Sequence, residues 1–111
     1  MKALIALLSV LLVAPAFADA PEHPAAVHRY LIERTFPQGA LDGLDAAGKS
    51  RINSTNAEFG VRWVTSYANA DKTRTFCIYE GPTEAAIREA ANANGIPVDS
   101  VTEVPVTLSP E

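Results

Sequence analysis

The spacing of apolar and polar positions changes period several times along the chain, and each change predicts an element. Ala3–Val13, ALIALLSVLLV, is an apolar run with Ser9 its one polar residue. His28–Phe36, HRYLIERTF, is rich in β-forming residues and closes at Pro37 and Gly39, which predicts a strand. Leu44, Gly48, Ile52, Thr55 and Phe59 then recur at helical spacing, with Asp45 near the start and Gly60 at the end. Gly48 and the run NSTN (53–56) are weak helix formers, so packing must hold this helix. Val61–Ala68 and Thr73–Glu80 read as two strands of a hairpin, joined by the turn NADK, which lacks the favoured Asn-Gly pair. A second helix follows. Pro82 is expected in its first turn, Glu84 at the positive end of its dipole, and Ala86, Ile87, Ala90 and Ala91 form its apolar stripe. Gly95 is expected just past its last turn, and Pro97 prevents continuation. Ser100–Leu108 reads as a last strand, placed at a sheet edge because Pro105 has no N–H to donate.

The resulting order, βαββαβ, with right-handed crossovers, predicts an α+β ferredoxin-like domain. Its four-stranded antiparallel sheet carries two helices on one face, with the first and third strands central. Alternation along each strand sorts residues onto two faces. Tyr30, Ile32, Val64, Ser66, Phe76, Ile78, Val104 and Val106 are expected to meet the helices. Leu31, Glu33, Trp63, Thr65, Tyr67, Thr75, Cys77, Tyr79 and Glu103 are expected on the other face, which is too aromatic for a plain solvated surface. Such a face serves as a subunit seam, as in a dimeric α/β barrel, or as a small cleft; the two can coexist.

The apolar run changes the domain boundaries. Lys2 precedes it, Pro15 breaks it and Ala16–Ala18 is a small-residue cleavage pattern, so residues 1–18 read as a secretory signal peptide. Residues 19–27, rich in Pro and Ala, are expected to form a flexible tether, and 28–108 the domain. The mature chain is then expected to be exported, periplasmic or secreted, with no membrane attachment after cleavage. The formal charge is −4, and no basic cluster is present, which argues against nucleic acid as a partner. The single cysteine, Cys77, has no internal disulfide partner. Stability therefore has to come from packing, shared between the subunits of a homodimer.

Candidate chemistry is sparse. Cys77 reads either as a small buried hydrophobe or as a thiol ligand. Glu33, beside Arg34 on a central strand, is a site residue or half of an ion pair. His23 in the tether and His28 at the start of the domain are a loose pair of imidazoles suited to a divalent transition metal such as nickel, or ordinary surface histidines. A cut after Ala20 would expose Pro21-Glu22-His23, whose amine, amides and imidazole could wrap a square-planar ion. Asn53–Thr55 fits a glycosylation sequon inside the first predicted helix. The chain contains no phosphate-binding glycine loop, CxxC, HExxH or GxSxG.

The strings YLIERTF (30–36), TFCIYEGP (75–82) and AIREAANANGIPVDSVTEV (86–104) resemble a family of small nickel-responsive proteins. The resemblance implies a ferredoxin-like dimer that binds a divalent metal, nickel or a similar ion, for sequestration. Family members commonly read WVHSY where this chain reads WVTSY, so Thr65 stands where a histidine is expected. Glu33, Cys77, His28 and His23 are then the candidate ligands, with Trp63, Thr65, Tyr67, Tyr79 and Glu103 around them. Two other readings stay open. One is a cofactor-free dimeric barrel enzyme with Glu33 as base and Tyr67 and Tyr79 as hydrogen-bond donors. The other is an interaction domain without a small ligand.

Overall fold

A computed structural model describes residues 26–111. The expected signal peptide, most of the expected tether, and His23 lie outside the described residues. The element order is β1 (His28–Thr35), α1 (Ala46–Glu58), β2 (Arg62–Ala68), β3 (Arg74–Gly81), α2 (Glu84–Asn94) and β4 (Ser100–Glu103). The four strands form one antiparallel sheet in the order β2-β3-β1-β4. This is the α+β ferredoxin-like arrangement expected from the sequence, with β1 and β3 central.

Local chemistry sets the boundaries. Asp45 caps α1 by accepting from the Gly48 N–H at 2.8 Å. Thr83, not Pro82, opens α2: its hydroxyl accepts from the Ala86 N–H at 3.0 Å, and Pro82 sits before the cap. Gly95 closes α2 at φ 68°, a left-handed value that favours glycine, and the Ile96 N–H bonds back to the Ala91 carbonyl at 2.9 Å. The β2–β3 turn has no glycine. The Asn69 side chain instead accepts from the Arg74 N–H at 2.9 Å, and Asp71 accepts from both the N–H and the hydroxyl of Thr73. Those hydrogen bonds from Thr73 hold the Asp71 carboxyl below its ordinary range. β4 stops at Glu103, five residues short of the expected end. The Val104 N–H still reaches the Arg29 carbonyl at 2.9 Å, but Pro105 offers no donor to extend the ladder.

The faces differ from the expected assignment. Tyr30, Ile32, Val61, Cys77, Tyr79, Ile87 and Ala90 form the core between sheet and helices, with Trp63 and Val101 packed against it. On β3 the phase is therefore reversed: Thr75, Cys77 and Tyr79 are buried under the helices, while Phe76 and Ile78 are half-buried on the open face. The register fixes this, because Cys77 pairs with Ile32, and Tyr79 with Tyr30. The physical reason lies in the helices. α1 and α2 present Gly48, Asn56, Ala90 and Ala91 as their buried residues, with Ile87 the one large apolar side chain among them. Helices with such small buried residues leave depth that side chains of the sheet, Tyr30 and Tyr79 above all, fill. On β2 an irregularity between Trp63 and Thr65 reverses the alternation, so that Trp63 pairs with Tyr79 on the helix side and Thr65 with Ile78 on the open side. Glu103 pairs with Tyr30 and also belongs to the helix side, at the sheet edge.

Gly81 lies where the sheet meets Ile87 of α2. A Cβ there would stand 3.1 Å from Ile87 Cδ1 and 3.2 Å from Val61 Cγ2. We expect Gly81→Ala to cost about 1–3 kcal/mol by overpacking; urea unfolding followed by circular dichroism measures it.

Candidate functional site

The reversed faces split the sequence-predicted site residues into separate groups. Glu33 lies on the open face. Its carboxylate accepts from the Ser100 hydroxyl at 2.8 Å and pairs with Arg74 at 3.6 Å, so it is one half of an ion pair. The same face carries Leu31, Thr65, Tyr67, Phe76 and Ile78, with Tyr67 66% exposed. Cys77 is on the opposite face, buried, with its thiol 3.5 Å from the Thr75 hydroxyl oxygen. The sheet itself separates Glu33 from Cys77, and the two cannot share one ion.

His28 stands apart from both, at the sheet edge. Its Nδ1 is 2.6 Å from Glu103 Oε1. Both side chains line a small groove of about 170 Å³ that Glu80 also reaches. Glu80, however, is held by Arg62 through two guanidinium nitrogens. Among the described residues no three His, Cys, Asp or Glu side chains gather closely enough to hold a metal ion. The described residues of one chain therefore do not form a complete nickel centre.

The larger concavity lies on the helix side, between the sheet, α1 and the β1–α1 loop, with a volume of about 430 Å³. Its floor is Arg34, Thr75, Cys77, Tyr79, Trp63 and Ser66. Leu41, Leu44 and Ile52 wall it opposite the sheet, and Arg51 stands at its side. Trp63 stacks beside Tyr79 with ring centroids 6.5 Å apart, and its indole N–H donates to the Ser66 hydroxyl at 2.8 Å. The strand irregularity makes that bond reachable, because it brings Trp63 and Ser66 to the same face. The Arg34 guanidinium lies 5.4 Å from the Tyr79 ring centre and donates from Nη1 to the Pro97 carbonyl at 2.8 Å. Burial pushes the Tyr79 phenol up from its ordinary value, and the Arg34 charge pulls it partly back. It stays a protonated donor at neutral pH.

Arg34 is the residue that sequence reasoning passed over. In the sequence it stands out only as the neighbour of Glu33, yet its parity with Tyr30 and Ile32 places it on the buried face. Arg51 left no comparable signal, since an arginine in a polar helix normally faces water.

Comparison with known proteins adds three findings. No curated protein matches the chain. The crystal structure of SCO4226 from Streptomyces coelicolor A3(2) aligns with a TM-score of 0.61 and 18% identity, covering 72% of this chain and 99% of that one, which establishes likeness of fold. A family of nickel responsive proteins, SCO4226-like, matches residues 30–104, from the first buried tyrosine of β1 to the end of β4. The chain belongs to the SCO4226-like nickel responsive protein family.

Proposed function

We propose that this protein is an exported homodimer that takes up a divalent transition metal, nickel or a close relative, at its surface rather than in a buried centre. Family membership supports the link to metal, and the His28–Glu103 pair carries the reading for this chain. A carboxylate on Nδ1 fixes an imidazole's orientation and leaves Nε2 free to accept an ion, the arrangement common around bound metals. His23, five residues upstream, and Glu22 beside it are further donors in the sequence. Cys77, buried against Thr75, has no role in this reading, and neither does Glu33, which Arg74 and Ser100 engage. A site with so few fixed ligands binds weakly and exchanges readily, which suits uptake and sequestration better than catalysis.

The homodimer has its own support. Leu31, Phe76 and Ile78 form half-buried rows across the open face, and Tyr67 extends them, more exposed, on the edge strand. A second copy stacking on that face would bury them, the usual fate of large apolar patches. A base-catalysed enzyme has weaker support. The larger concavity is on the other side of the sheet from Glu33, and Tyr67 and Tyr79 face opposite ways.

Three measurements test this reading. Calorimetry with Ni(II) should give saturable binding that His28→Ala abolishes, that Glu103→Gln weakens by roughly 10–100-fold, and that Cys77→Ala leaves unchanged. Equal binding by the His28 variant would refute it. Sedimentation should give a dimer, and Ile78→Glu should convert it to a folded monomer; a wild-type monomer would remove the seam. The intact mass of protein recovered outside the cytoplasm should correspond to Asp19 as first residue.

A further inference from the structure

Arg34 carries a charge that the described structure does not balance. It is 2% exposed, the largest side chain so deeply buried. None of the ion pairs among the described residues includes it. Its neighbour Glu33 points to the other face and is taken by Arg74. One nitrogen, Nη1, bonds a carbonyl, but Nη2 has no hydrogen-bond partner of normal geometry. Leaving a buried guanidinium with an unmet donor and no anion is costly, and proteins tolerate it where a ligand completes the site.

The surroundings of Arg34 define what that ligand is. Among the described residues, Arg34 and Arg51 are the only charged ones lining the concavity, so this lining carries two positive charges and no negative one. The remaining surface is mainly apolar and aromatic: Trp63 and the Tyr79 ring on one side, Leu41, Leu44 and Ile52 on the other. The Tyr79 phenol, kept protonated by burial, adds a neutral donor beside the guanidinium. A volume of about 430 Å³ accommodates a small organic molecule and is generous for a lone inorganic ion.

We propose that this concavity binds a small aromatic or aliphatic carboxylate. Its carboxylate pairs with Arg34 and its apolar body lies between Trp63 and the α1 wall. A planar carboxylate suits a guanidinium because it can accept two parallel N–H bonds. Arg51, on the exposed surface of α1, draws the anion in and closes the rim. This site is on the opposite face of the sheet from the proposed dimer seam and uses none of the proposed metal donors, so the two proposals stand or fall separately.

The experiment uses the chain's single tryptophan, Trp63, as reporter in the purified protein without added metal. 1-Naphthoate serves as the carboxylate probe, with 1-naphthamide as its neutral counterpart and inorganic phosphate as the bare anion. Trp63 emission should change saturably with naphthoate, at least about tenfold more tightly than with naphthamide, since a charge-assisted pair is lost in the amide. Phosphate should bind more weakly still. Arg34→Gln should bring naphthoate down to the affinity of naphthamide. Should that variant not fold, Arg51→Glu, at an exposed position, reverses the rim charge and should weaken naphthoate by about tenfold with thermal unfolding unchanged. Equal binding of naphthoate and naphthamide by the wild-type protein, or no saturable response to naphthoate, overturns the proposal. So does indifference of naphthoate affinity to the Arg51 variant.

Discussion

Two slender helices must cover one face of a four-stranded sheet, and the rest of the architecture follows from how little they bring to that contact. Buried helix positions are glycine, asparagine and alanine, relieved by Ile87. The layer between sheet and helices therefore has to be filled from below, and the cross-strand pairs Tyr30–Tyr79 and Ile32–Cys77 do so. Beneath α2, even a methyl group at Gly81 would crowd Ile87 and Val61. Beside α1 the filling is incomplete, and a concavity remains above Trp63 and Tyr79. Tight packing at one helix and vacancy at the other are two outcomes of the same shortage of side-chain volume.

The same shortage explains what the sequence disclosed and what it concealed. Element order, strand order and both helix ends were legible, because they depend on local signals: Asp45, Gly60 and Gly95, and the spacing of the helical stripe. Pro82, expected in the first turn of α2, instead precedes the cap, because Thr83 has the hydroxyl that accepts the Ala86 N–H. The faces of β3 were not legible. TFCIYE offers two apolar sets of equal weight, and choosing between them requires knowing that the helices are thin. On β2, alternation failed outright, because an irregularity cannot be seen in a string of residues. The outcome for function was large: Cys77 and Glu33, read as neighbours, lie on opposite sides of the sheet.

Free Cys77 illustrates how burial substitutes for covalent chemistry. With 5% of its surface exposed and only Thr75 in hydrogen-bond reach, it behaves as a small apolar residue paired with Ile32. The thiol has little surface of its own, although it forms part of the floor of the helix-side concavity. At the sheet edge, by contrast, His28 is held by Glu103 and stays partly exposed.

The irregularity in β2 has a consequence for how the two faces can change over time. In a regular strand, residues 63 and 65 share a surface, so substitutions at either would be judged by the same neighbours. Here Trp63 answers to Tyr79 and the helix-side concavity, while Thr65 answers to Ile78 and the open face. One extra residue uncouples the two selective environments. Each side of the sheet is left free to acquire or lose a binding role without disturbing the other.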